Sequence, residues 1–143
     1  MKFGGLKMVA ALAIASAGVV TPTAAADQDD PPPLPLHQVQ YTVFSESPFQ
    51  NAEIYYRDVD PPTFADYSHN PYVYSPNVEA NLGPHQMWTM NVQLVNPAEW
   101  AMVVASAPES KQVPNLHCVL AVDGKVVATD QGPKGALCSI RAW

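Results

Sequence analysis

Positive charge is scarce in this chain: Lys and Arg together number 7 against 13 Asp and Glu, for a formal net charge of −6. So acidic a domain repels phosphate, which excludes nucleic-acid binding by counterion release and argues against an anionic membrane surface as partner. Cysteine is nearly absent, with 2 in 143 residues. That excludes a small scaffold held mainly by disulfides and a cysteine-rich zinc framework. Long apolar runs are missing too. The stretch Met8–Val20 has thirteen uncharged residues, and at about 1.5 Å each they reach roughly 20 Å, short of the ~30 Å core of a bilayer. A chain of this length has room for one compact domain and not for a second core of ordinary size.

The N-terminus has the order of a secretory signal. Lys2 and Lys7 form a basic start, Met8–Val20 an apolar centre, and Ala24-Ala25-Ala26 a small-residue cleavage site after Pro22. Residues 1–26 are therefore expected to be a cleavable signal peptide, leaving a secreted or extracytoplasmic protein with no membrane span. Its removal takes Lys2 and Lys7 with it and makes the remainder more acidic. Residues 27–36 (DQDDPPPLPL) are acidic, then proline-rich, and read as a flexible leader ahead of a domain over 37–143.

That domain reads as all-β. Val39, Tyr41 and Val43 alternate with polar neighbours, and Ala52–Arg57 is β-branched and aromatic after a turn at Ser45–Asn51. Tyr72-Val73-Tyr74 is a third short strand candidate. In Gln86–Val95, Trp88, Met90, Val92 and Leu94 share one face. Trp100–Ala105 is apolar on both faces, as a central strand would be. Leu116–Val122 and Lys125–Thr129 flank Asp123-Gly124, a strong hairpin signal, and Ala136–Ala142 makes the last strand. About seven strands without helices point to an antiparallel β-sandwich or small barrel.

In an oxidising compartment Cys118 and Cys138 are expected to form a disulfide. They lack the CxxC spacing of a redox pair. In a simple meander the strand between them would hold them about 9–10 Å apart, beyond the ~7 Å that a disulfide spans. The last strand must pair with the Cys118 strand or face it from an opposite sheet, and both arrangements favour a Greek-key, immunoglobulin-like topology.

Catalytic and metal signatures are weak. Asp58, Asp60 and Asp66 match no EF-hand; His37, His69, His85 and His117 are scattered; and no GxSxG elbow occurs. No cofactor, metal or catalytic residue is expected. The long segment Asp58–Pro71, with three prolines and no strand pattern, is the place expected to carry function. Aromatic rings cluster around it, and they can serve as core or as a recognition surface. If Ile54 and Tyr56 point inward, Tyr55 points out. The candidate binding residues are Tyr55, Asp58, Asp60, Phe64, Tyr67, Tyr72 and Tyr74.

The pattern Cys118-x-Leu120-x-Val122-Asp123-Gly124-Lys125-Val126-Val127, with a glycine-containing turn and Cys138 after it, resembles the tail of the extracytoplasmic domain of the MmpS family, small mycobacterial membrane proteins. Tyr41-Thr42-Val43 resembles that domain's opening. The resemblance implies an immunoglobulin-like β-sandwich with Cys118 and Cys138 bridged. It also implies a role beside exporters of lipids and siderophores, although MmpS proteins keep an N-terminal membrane helix where this chain has a cleavable-looking signal. Two functions follow as expectations. The first is a non-catalytic module that binds an envelope protein. The alternative is a carrier or export accessory for a lipid or other apolar ligand, with Trp88 and Trp100 lining a cavity.

Overall fold

Val39, Tyr41 and Val43 all face inward from the first strand, as their alternation requires, while Gln38 and Gln40 stay in solvent. The computed structural model describes residues 32–142 and the isolated position 18. The expected signal cleavage site and the acidic start of the leader lie outside the described residues; residues 32–36 are exposed and form no regular structure. The strands and helices of the described residues lie in one compact unit, Leu34–Trp143.

Eight strands occur: β1 (His37–Ser45), β2 (Phe49–Tyr56), β3 (Asn77–Leu82), β4 (Trp88–Leu94), β5 (Met102–Ser106), β6 (Leu116–Val122), β7 (Lys125–Gly132) and β8 (Gly135–Ser139). They make two antiparallel four-stranded sheets, ordered β4-β1-β6-β7 and β3-β2-β5-β8. The inner faces meet in one core. Val39, Tyr41, Val43, Leu116 and Leu120 come from the first sheet, and Ile54, Val103, Ala105 and Ala136 from the second. Each fully buried aliphatic side chain contributes about 1.5–3 kcal/mol of transfer free energy. β5 lies between β2 and β8, the central position that its apolar character on both faces requires.

The disulfide joins Cys118 of β6 to Cys138 of β8, with Cα atoms 6.1 Å apart. It therefore bridges the two sheets, the second of the two arrangements left open by the spacing. The Asp123-Gly124 hairpin forms as its chemistry dictates, with φ of 51° and 82° at the two central residues. The β7–β8 turn depends on Gly132, where a Cβ would collide with the carbonyl oxygen of Gly135.

Several local expectations are corrected. Asn77–Leu82, not expected as a strand, pairs with β2. Tyr72–Tyr74 is no strand: with Pro71 it forms a 3-10 turn over Pro71–Tyr74, since proline fixes φ near the helical value and opens the turn. Helices are present. The long segment holds α1 (Phe64–His69), and α2 (Pro97–Trp100) takes Trp100 out of the expected strand. The hydroxyl of Thr63 caps α1, accepting from the Asp66 N–H and donating to the Asp66 carboxylate. β2 begins earlier than expected, at Phe49. A register shift between Phe49 and Ala52, with Asn51 at φ 60°, restores the inward direction of Ala52 and Ile54.

Candidate functional site

The segment between β2 and β3 is tied down from beneath by a residue that alternation on a strand would not single out. Arg57 follows β2 directly and is fully buried. Its Nε donates to the Trp100 carbonyl at 3.2 Å, and its Nη1 donates to the Tyr74 carbonyl at 3.1 Å and to Ser75 Oγ at 2.6 Å. The ring of Tyr67 lies 4.3 Å from the guanidinium carbon, and that of Trp100 5.8 Å. A charge out of water needs this many partners, because desolvation alone costs several kcal/mol. The Arg57 carbonyl accepts from the Tyr41 hydroxyl at 2.8 Å, and that hydroxyl accepts from the Met102 N–H. Burial pushes the Tyr41 hydroxyl well above the usual phenol range, so it stays a neutral donor.

Above this hub, Tyr55 of β2, Tyr67 of α1, Pro71 and Tyr72 of the 3-10 turn, and Met102 and Val104 of β5 enclose an open groove of about 290 Å³. Tyr55 points outward while Ile54 is buried and Tyr56 packs against the core. The Tyr55 and Tyr72 rings are 6.4 Å apart, and Tyr72 is 77% exposed. Strand register extends the groove into a row across the second sheet: Tyr55 opposes Val104, and Val104 opposes the exposed Leu137.

The seven expected binding residues thus separate. Tyr55, Tyr67 and Tyr72 meet in the groove. Phe64 is half exposed at the start of α1, its ring 6.1 Å from Tyr67 and 5.1 Å from the guanidinium of Arg141. Tyr74 contributes its carbonyl to Arg57. Asp60 accepts from the N–H groups of Val95 and Asn96 at 2.7 and 2.8 Å, which fastens the long segment to the end of β4. Asp58 is half-buried, close enough to raise the Tyr41 hydroxyl further. Among the described residues, no three His, Cys, Asp or Glu side chains form a metal-holding group. Trp100 is buried edge-on to Tyr67, and Trp88 packs against Tyr56; both rings are part of the packing.

Beside the aromatic row the same sheet face carries a second, polar recess of about 670 Å³, bordered by Glu53, Glu79 and Glu109. In the sequence Glu53, Glu79 and Glu109 stand, with Glu46 and Glu99, as carboxylates without a shared signature, and nothing there brings them together. β3 follows Pro76 and is rich in Asn, which obscured its alternation, and without β3 nothing places Glu79 beside Glu53. The signal that existed was Glu53-x-Tyr55, two residues that a strand puts on one face.

A family model described as the Rv2576c beta-sandwich domain matches residues 41–138, from within β1 to the second cysteine. Two mycobacterial proteins are each 36% identical over 107 residues, covering 75% of this chain and 68% of their own length. They are Rv2576c of Mycobacterium tuberculosis and Mb2606c of Mycobacterium bovis, both described as uncharacterized. The matched region contains both sheets, the Arg57 hub and the row of exposed rings, so the chain belongs to the family of the Rv2576c beta-sandwich domain.

Proposed function

We propose that this is a non-catalytic binding domain working outside the cytoplasm, and that the outer face of the β3-β2-β5-β8 sheet docks a protein of the cell envelope. The observation that carries this reading is Tyr72, a large ring left 77% exposed although the segment bearing it is clamped by a buried arginine. An apolar row on a rigid support, exposed at Tyr72 and Leu137 and half-buried at Tyr55 and Val104, is what a docking surface needs, because little ordering entropy is lost on binding. The disulfide is compatible with an extracytoplasmic site, and no helix among the described residues is long and apolar enough to cross a membrane. A groove of about 290 Å³ lies just below the ~300–1,000 Å³ usual for small-molecule pockets, which favours side-chain docking over enclosure of a lipid.

Photo-crosslinking in envelope fractions of a mycobacterial host tests the reading. A photoreactive residue at Tyr72 is expected to give one defined protein adduct that Tyr55→Ser abolishes. The same probe at Asn91, exposed on the other sheet, is expected to give none. Equal labelling from both positions, or none from Tyr72, would sink it.

A further inference from the structure

Resting on that docking face, we infer that its partner is a cationic, amphipathic polypeptide segment, with a Lys or Arg side chain seated at Glu53 and Glu79 and apolar side chains laid on Tyr55, Tyr72 and Val104.

The first support is where the carboxylates go. Glu46, Asp60, Asp66, Glu99, Asp123 and Asp130 each accept an internal hydrogen bond or ion pair. Glu53, Glu79 and Glu109 make no ion pair among the described residues, as Asp58 also does not, but these three alone share a border on one recess. Lys134 and Lys111 lie on or near the loop that forms its rim, yet the Lys134 ammonium donates to the Ser110 carbonyl and neither lysine forms an ion pair there. Three carboxylates against these two ammonium groups leave the recess an excess of negative charge.

The second support is register. Glu53 stands directly opposite Glu79 on the neighbouring strand, a like-charge pairing that costs stability in the free domain. A cation between them removes that cost, so the partner's charge gains more here than at an isolated carboxylate. The three glutamates do not converge as metal ligands. Their charge is offered to something extended, and the neighbouring row shows how far it extends. Tyr55 is two residues along β2 from Glu53, about 7 Å on the same face, which is also the spacing of alternate side chains on a bound extended chain. One partner strand can therefore set a basic residue in the recess and its second neighbour on the tyrosines.

Charge complementarity selects this occupant over a second copy. A two-fold contact with its axis at the recess would bring Glu53 and Glu79 of one protomer toward the same two carboxylates of its partner.

The test uses the oxidised chain and blocked synthetic peptides of the repeat X-Ser-Val-Ser, which puts X and Val on one face of an extended chain, with Lys, Glu or Ser at X. At low salt the Lys peptide is expected to shift amide resonances of β2, β3 and β5, and to bind about tenfold or more tightly than the Glu peptide. The double variant Glu53→Gln/Glu79→Gln should lower Lys-peptide affinity about tenfold and leave the Ser peptide unchanged, while Tyr72→Ser weakens both. Retained thermal stability of each variant separates these effects from unfolding. Equal affinities for Lys and Glu peptides, shifts confined to the β4-β1-β6-β7 sheet, or no shifts at millimolar Lys peptide would each overturn the inference. Concentration-dependent dimerisation that shifts the same amides would assign the face to a second copy and overturn it as well. If the Tyr72 adduct survives Glu53→Gln/Glu79→Gln, the docking face stands and only the cationic partner is lost.

Discussion

The ring of Tyr67 covers the guanidinium of Arg57 at 4.3 Å, and the two together fasten the segment between β2 and β3 to the core. Arg57 reaches carbonyls in two separate parts of the chain, Trp100 and Tyr74, while Tyr67 closes the side that would otherwise admit water. Arg57→Ala removes the donor to three acceptors, two of them in buried bonds, and leaves a void. It is expected to cost about 3–5 kcal/mol in urea unfolding, from the cavity and from the acceptors left without a donor. Arg57→Lys keeps the charge but loses the planar fork and should recover less than half of that. If the alanine variant unfolds at the same urea concentration as the parent, the hub does not hold the segment.

Glu53 and Glu79 give a prediction of opposite sign. Replacing either by Gln relieves the cross-strand repulsion between them. Because both groups are at least partly exposed, the gain should be small, about 0.2–1 kcal/mol, and should vanish in high salt. Thermal melts of Glu79→Gln at low and high salt check it. A stabilisation that ignores salt would point to strand propensity in place of charge.

The disulfide spans a sequence separation of 20 residues and ties sheet to sheet. Reduction, or Cys118→Ala/Cys138→Ala, is expected to lower stability by about 3 kcal/mol on the chain-entropy account. Both sulfurs are buried, so reduction by a mild thiol reagent should follow the unfolding rate; reduction much faster than unfolding would contradict the buried placement.

What could be read from the chain without coordinates follows one physical division. Strands whose alternation is strong, such as Val39-x-Tyr41-x-Val43, and turns with their own backbone demand, such as Asp123-Gly124, were legible because the signal is local. The cysteine spacing even narrowed the topology, since geometry forbade a meander. The site was legible only by half. A tyrosine-rich segment is visible as composition, but how it is held depends on Arg57, whose side chain donates to acceptors 17 to 43 residues away. Tyr72 illustrates the limit: its aromatic and β-branched neighbours argue for a strand, and Pro71 overrides them by starting a 3-10 turn. Asp60 illustrates another, because a loop carboxylate reads as a ligand until its two backbone N–H partners on Val95 and Asn96 are seen.

Asp123 offers the test by acid. Its carboxylate accepts from His37 Nδ1 at 2.7 Å and from the Gln38 N–H at 2.9 Å, joining the β6–β7 hairpin to the start of β1. The bond to His37, and after it the bond from Gln38, hold the Asp123 carboxyl below the ordinary value of 3.8. A group whose folded pKa is depressed stabilises the fold above its unfolded pKa and loses that contribution as pH falls through the folded value. The hairpin should therefore stay anchored at neutral pH and loosen only below the ordinary carboxylate range. Carbon-detected titration of the Asp123 carboxyl is expected to show a midpoint under 3.8, and the protection of Lys125 and Val126 against hydrogen exchange, relative to the intrinsic rate at each pH, should fall across the same interval. Asp123→Asn keeps an oxygen acceptor for the Gln38 N–H but carries no charge, so its protection should be lower than the parent's at neutral pH and flat through the acid range. A parent midpoint at or above 3.8, or an Asn variant with the parent's acid profile, would show that the His37 contact does not hold the hairpin.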